Sequence, residues 1–221
     1  MKDFFNELLP KIQEAVVKDY QEILRQVGGE KIYAAVLGTD SDCITLGLNV
    51  NTVEHMTKTD IGYGYHDKEA YIEKWGKYMP PEEIEWLKHK NSPIESTKWQ
   101  PGEWGYFSAE PGGTVDISSL LFAKSMAICD ELDDLPEDEF DKIYDEFVVL
   151  FMETVTAAFV HLIQNNAFGL DPGEATYFIH MTDDNRAVGI AKESAKRLNS
   201  AEVYEQFLKE SGLDKLEEGA F

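Results

Sequence analysis

The chain has 221 residues, 43% hydrophobic and 28% charged, with 12 Phe, 10 Tyr and 4 Trp. That is enough apolar mass for one core without disulfide or metal staples, and too much aromatic mass for a disordered chain. The formal net charge of −22 opposes phosphate backbones and anionic bilayer surfaces, so nucleic-acid and membrane partners are excluded as expectations, whereas a basic protein partner is compatible.

Taken in order, the first element expected is an amphipathic helix over 3–27. Phe5, Leu8, Ile12, Val16, Tyr20 and Ile23 recur at three- and four-residue steps there, and Gly28-Gly29 supplies a left-handed stop. Two β-rich apolar runs follow, 31–38 and 43–50, separated by Thr39-Asp40-Ser41-Asp42; four turn-favouring residues between such runs predict a hairpin. A short helix over 52–58, a loop at 60–66 and short helices over 67–78 and 81–90 come next. Pro80-Pro81 opens the last of these, and Glu82 and Glu83 suit the positive end of its dipole. A third strand is expected at 103–109 and a turn at 111–113. The back half predicts a helix over 116–132, a long helix over 137–166, a fourth strand over 175–181, and a helix over 185–198 capped by Asp183 or Asp184. Ser200 caps a final helix. No repeat, low-complexity tract or Gly/Ser linker divides the chain, so one domain over 1–221 is expected.

The fold class this order implies is α+β, with a small, mainly antiparallel sheet packed against the long central helix and several further helices. The segment 147–163 is apolar nearly all round, as a helix buried on several sides would be, but Glu153 and His161 interrupt it. It falls short of the ~20 residues that span a bilayer. The first residues carry charges and no uninterrupted apolar core of a signal peptide. Cys43 and Cys129 both sit in apolar runs with no Cys-x-x-Cys pair, which predicts two buried free thiols. A cytoplasmic location is the expectation that follows.

The motifs of catalysis are missing from the sequence. It holds no Gly-x-Ser-x-Gly elbow, no phosphate loop, no His-Glu-x-x-His and no calcium loop, and Gly62-Tyr63-Gly64 reads as a turn. The five histidines never fall within four residues of one another. His161 lies eight residues from Glu153, a separation of ~12 Å along a helix axis, too far for a proton-relay pair. His161 is therefore read as a hydrogen-bonded core histidine. No catalytic residue, metal ligand or cofactor is expected.

Two segments stand out as candidate sites. Residues 130–146 hold ten acids against Lys142 alone. The dipole of the long helix accounts for Glu137, Asp138 and Glu139 in its first turn, and the spacing lacks the glycine and alternation of a calcium loop. The surplus reads as a docking surface for a basic protein, with Asp130, Glu131, Asp133 and Asp134 as its candidate residues, or as solvated surface. The second segment, 75–106, holds all four tryptophans. Trp99, Glu103, Trp104 and Tyr106 could line a small-ligand pocket, or the aromatics could anchor an aliphatic-poor stretch to the core.

Three stretches in order carry a family resemblance: Ile32-Tyr33-Ala34-Ala35-Val36-Leu37 with Thr39-Asp40, then Trp99-Gln100-Pro101-Gly102-Glu103-Trp104-Gly105-Tyr106, then Ser194-Ala195-Lys196-Arg197-Leu198-Asn199. Together they resemble the bacterial family catalogued as domain of unknown function 4303, over nearly the whole chain. The Trp-x-Pro-x-Glu-Trp core is the most specific part; the acid-rich 130–146 and the tryptophan-rich lead-in depart from it. The resemblance implies a role of the kind such families have beside polymorphic toxins, that of an immunity protein, and implies no catalytic residue. The expected function is thus a non-catalytic, immunity-like protein that covers a basic protein partner. The alternative is a small-ligand-binding protein or enzyme with its site around 99–106.

Overall fold

The structure, a computed structural model, describes residues 1–65, 67–89, 96–108, 111–132, 135–171 and 173–216. The first apolar stripe gives α1 (Lys2–Val27), which buries Phe5, Leu8, Ile12, Val16, Tyr20 and Ile23 and ends at Gly28 with φ +68°. The hairpin forms as the alternation predicts: β1 (Ile32–Thr39) pairs antiparallel with β2 (Gly47–Thr52). Its turn is longer than the four residues expected, and the run 43–46 is loop rather than strand. Local bonds close the loop before the ladder can begin. The Asp40 carboxylate accepts from the Ile44 N–H at 3.0 Å, the Thr39 hydroxyl donates to the Thr45 carbonyl at 2.8 Å, and Cys43 takes a positive φ of 57°. Cys43 and Leu46 are apolar because the loop folds onto the core, where both are buried.

The sheet runs β3-β2-β1-β4. Strand β4 (Thr176–Met181) lies parallel to β1, and β3 (Tyr106–Phe107) antiparallel to β2, so two of the three pairings are antiparallel and the class is α+β. β3 is shorter than expected. Pro101–Glu103 is spent on a 3-10 turn, and residue 109 lies outside the described residues. β1 is the central strand and is buried from Ile32 to Leu37, as a strand covered on both faces must be.

A bulge decides what each face carries. Ile32 pairs with Thr52 and Ala34 with Asn51, leaving Tyr33 as the extra residue. Consecutive residues normally alternate between faces, but here Tyr33 and Ala34 both join the cluster of Val36, Trp104, Phe178 and Phe207. The opposite face, with Ala35, Leu37, Leu48, Val50, Tyr177 and Ile179, belongs to the larger cluster. That cluster is roofed by α1 and by the two helices packed against it, α5 (Gly113–Leu132) and α6 (Glu137–Gln164). The shorter α2 (Val53–Tyr63), α3 (Lys68–Trp75) and α4 (Pro81–His89) lie outside it, Met56 of α2 packing on the cluster of the other face.

Helix α5 begins three residues earlier than the sequence predicts because its cap comes from another element. The buried Asp19 carboxylate of α1 accepts from the Gly113 N–H at 2.6 Å, and from the Thr114 N–H and hydroxyl at 3.0 and 2.6 Å. At 113 only glycine fits, since a Cβ would sit 2.7 Å from the Ala15 Cα. Asp60, also buried, does the same for the short turn Thr97–Trp99, accepting from the Thr97 N–H and hydroxyl at 2.8 and 2.7 Å. Helix α2 runs on past 58 to reach it, so the loop expected from residue 60 is helical as far as Tyr63.

Helix α6 is long and apolar enough, by length and composition, to cross a membrane. In this fold Phe147, Phe151 and Leu162 are buried in the main core, which accounts for that apolarity. Its solvent stripe runs at four-residue steps through Val149, Glu153, Ala157 and His161. His161 is therefore exposed, not the core histidine the sequence suggested: the inward positions nearby go to Phe159 and Leu162. Cys129 is likewise only half-buried.

Helix α7 (Ala187–Leu198) lies along the free edge of β4. Ser194 accepts from the Ile179 N–H at 2.9 Å. Asn199 accepts from the Tyr177 N–H at 2.9 Å and donates to the Tyr177 carbonyl at 2.6 Å. Two side chains thus blunt an edge that would otherwise offer backbone groups to another strand. Neither Asp183 nor Asp184 caps α7, whose N-cap is Arg186 with no side-chain cap bond; Asp184 instead accepts from the Arg186 N–H at 2.6 Å and pairs with its guanidinium. Helix α8 (Ala201–Ser211) starts on Ser200, whose hydroxyl accepts from the Val203 N–H.

Candidate functional site

The tryptophan segment is brought together only in part. Trp104 is 3% exposed and packs edge-on to Tyr33 and Phe178, with ring centroids 6.1 and 6.2 Å away. Half-buried Trp99 meets Phe207 at 5.0 Å and Tyr33 at 5.8 Å. Beside Trp99 lies a small cleft of about 120 Å³ flanked by Tyr33, Phe207 and the Lys98–Glu210 ion pair, whose atoms are 2.5 Å apart. Glu103 and Tyr106 point elsewhere. Glu103 accepts from the Tyr63 hydroxyl at 2.7 Å, which raises the pKa of that phenol. Tyr106 donates to Glu30 at 2.7 Å, and Thr52 donates to the same oxygen at 2.5 Å. Those two bonds, Thr52 first, hold the Glu30 carboxyl below its ordinary range.

The acidic segment forms the end of the molecule where α5 stops and α6 begins. Asp130 and Glu131 are exposed at the last turn of α5, and Glu137, Asp138, Glu139, Asp141, Asp145 and Glu146 along the first turns of α6. Asp133 and Asp134 lie outside the described residues. Among the described residues, the one ion pair inside this segment is Asp138–Lys142, at 3.6 Å and fully in solvent. On α5, Phe122 and Met126 stand one turn apart and about half exposed. Tyr144 ties α6 to the loop after β1, donating to the Asp42 carbonyl at 3.1 Å.

A third site was not expected from the sequence. At the carboxyl ends of β1 and β4 a cleft of about 440 Å³ opens, lined by Gly38, Asp40, Asn49, Ser118, His180 and Thr182 among others. Burial lowers the pKa of the His180 imidazole, which is thus neutral at physiological pH. Only the strand pattern hinted at this site: Asn49 and His180 are polar residues on the face that carries Val36 and Phe178, His180 in register with Gly38 and Asn49 diagonal to it.

Among the described residues, no three His, Cys, Asp or Glu side chains gather as metal ligands would. Cys43 is buried, and desolvation pushes its thiol up to about 12, so it holds almost no thiolate near neutrality.

No curated protein and no solved structure matches the chain. The three stretches of the resemblance now have separate structural roles: central strand, cover of the second sheet face, and guard of the β4 edge. A family model described as domain of unknown function, DUF4303, matches residues 12–200, and the chain belongs to that family.

Proposed function

We propose that this protein is a non-catalytic binding protein of the immunity-like kind, which covers a basic protein partner with the acidic end built by α5 and α6. The observation that carries the reading is the set of eight exposed carboxylates described there against one ion pair among the described residues of the segment, Asp138–Lys142. The helix dipole rewards only the first turn; carboxylates beyond it crowd like charges. A basic partner would neutralise them, and their field would steer it during encounter. The exposed Phe122 and Met126 on α5 add apolar contacts of the sort that anchor interfaces. A second reading, a small ligand beside Trp99, is supported by the 120 Å³ cleft and its aromatic walls.

The test is affinity capture from the native host, run in parallel with the wild type and with Asp130→Asn/Glu131→Gln/Asp133→Asn/Asp134→Asn. The reading expects a basic protein retained by the wild type and released by the variant. Equal retention on both would remove the acidic end from the interface.

A further inference from the structure

On the sheet face that carries Trp104, the aromatic cover stops short of the carboxyl ends of β1 and β4, and the polar cleft of about 440 Å³ begins there. Gly38 is its floor. His180 lies beside it in register on β4, and Asn49 lies diagonally across on β2, where Gly47 is opposite Gly38. β2 and β4 flank β1, so their axes are about 10 Å apart, and glycine leaves the space between the two polar side chains unfilled. A Cβ at 38 would project to 3.5 Å from the Asn49 amide nitrogen, so that space is real and a side chain there would occupy it.

The charge at the slot is that of Asp40, and the uncharged groups offer both kinds of partner: the Asn49 amide nitrogen, a donor, lies nearest Gly38. Among the described residues neither the His180 ring nor the Asn49 amide has a hydrogen-bond partner, and Asp40 uses one carboxylate oxygen, on the Ile44 N–H, leaving the other. A neutral imidazole offers a lone pair. Among the described residues no lysine or arginine lines the cleft, so an anion would find no counter-charge there, in a chain of net charge −22. A neutral ligand would leave Asp40 uncompensated. A positively charged donor group fits the free oxygen of Asp40, with the imidazole lone pair and the Asn49 amide oxygen as its further acceptors.

We propose that the slot between Asn49 and His180, floored by Gly38 and walled by Asp40, binds a guanidinium or primary ammonium group. Its bearer is a small amine or an Arg or Lys side chain on a protein surface. The second source is within reach of the acidic end, because the loop that carries Asp40 is tied to α6 by the Tyr144–Asp42 hydrogen bond. The slot stands independently of the partner reading, since its residues lie outside 130–146.

The experiment is an amide-resolved NMR titration of the full chain with three probes: agmatine, the neutral isostere butylurea, and a capped Gly-Arg-Gly peptide. Saturable shifts centred on Gly38, Gly47 and the Asn49 side chain are expected with agmatine or the peptide and not with butylurea. Agmatine binding marks a small-molecule source, and binding of the peptide alone marks a protein side chain. Gly38→Val should weaken binding at least about tenfold by filling the slot, and Asp40→Asn about fivefold by removing the charge-assisted bond. If the valine disturbs the spectrum, Gly38→Ala serves, since its added methyl meets ordinary contact distances. The proposal is overturned if neither cation saturates, if butylurea binds as well, or if shifts persist undiminished in the filled slot.

Discussion

Trp104 shows how one side chain can serve as structure where the sequence allowed a ligand site. It is 3% exposed, and its buried indole nitrogen has no hydrogen-bond partner among the described residues. Its value is therefore volume and ring contact with Tyr33 and Phe178, not a polar anchor. Trp104→Ala should cost about 3–5 kcal/mol, as large-to-small core changes do. Trp104→Phe should cost clearly less, because no hydrogen bond is lost with the indole. Denaturant midpoints check both; an alanine variant that unfolds where the wild type does would show that the ring is not core. His161 is the converse lesson. The sequence placed it in an apolar run, but inside or outside depends on helix phase, and the four-residue stripe of Val149, Glu153, Ala157 and His161 turns it to solvent.

At the scale of elements, what was legible depended on whether the determinant was local. The stripe of α1, the hairpin of β1 and β2, the Ser200 cap of α8 and the long α6 are written in neighbouring residues, and they form close to where periodicity and turn chemistry put them. The start of α5 was not legible, because Asp19 caps it from 94 residues away. The start of β2 was misplaced for a different reason: Cys43 and Leu46 are buried by packing while their backbone is held in a loop by Asp40 and Thr39. The β4 edge gives this scale its own test. Removing Asn199 leaves the Tyr177 N–H and carbonyl unpaired on that edge. Asn199→Ala should therefore destabilise the fold by about 1–3 kcal/mol, the cost of stranding partly buried polar groups, and should promote self-association through the bared edge. Thermal unfolding and light scattering read the two effects, and an unchanged melting temperature with no added scattering would contradict the guard role.

For the whole molecule, charge is the dominant fact, and it was visible from the start: residues beyond 100 carry 25 acids and 8 bases. Folding gathers part of that excess where α5 stops and α6 begins, because both helices pack on α1 and the last turn of one is followed within five residues by the first turn of the other. The cleft over Gly38 was not legible because three strands contribute one residue each and only the register aligns them.

If the acidic end steers a basic partner, the rate of association must depend on these carboxylates and on salt. The captured partner is mixed in stopped flow with the wild type and with Asp130→Asn/Glu131→Gln/Asp133→Asn/Asp134→Asn at two salt concentrations. Exposed pairs contribute only about 0–1 kcal/mol each to folding, so the variant should melt at or above the wild-type temperature. Its on-rate should nevertheless fall, and the wild-type on-rate should drop with added salt as the ~8 Å screening length at physiological ionic strength shortens. An on-rate indifferent both to salt and to the four substitutions would contradict the account and leave the acidic end as solvated surface.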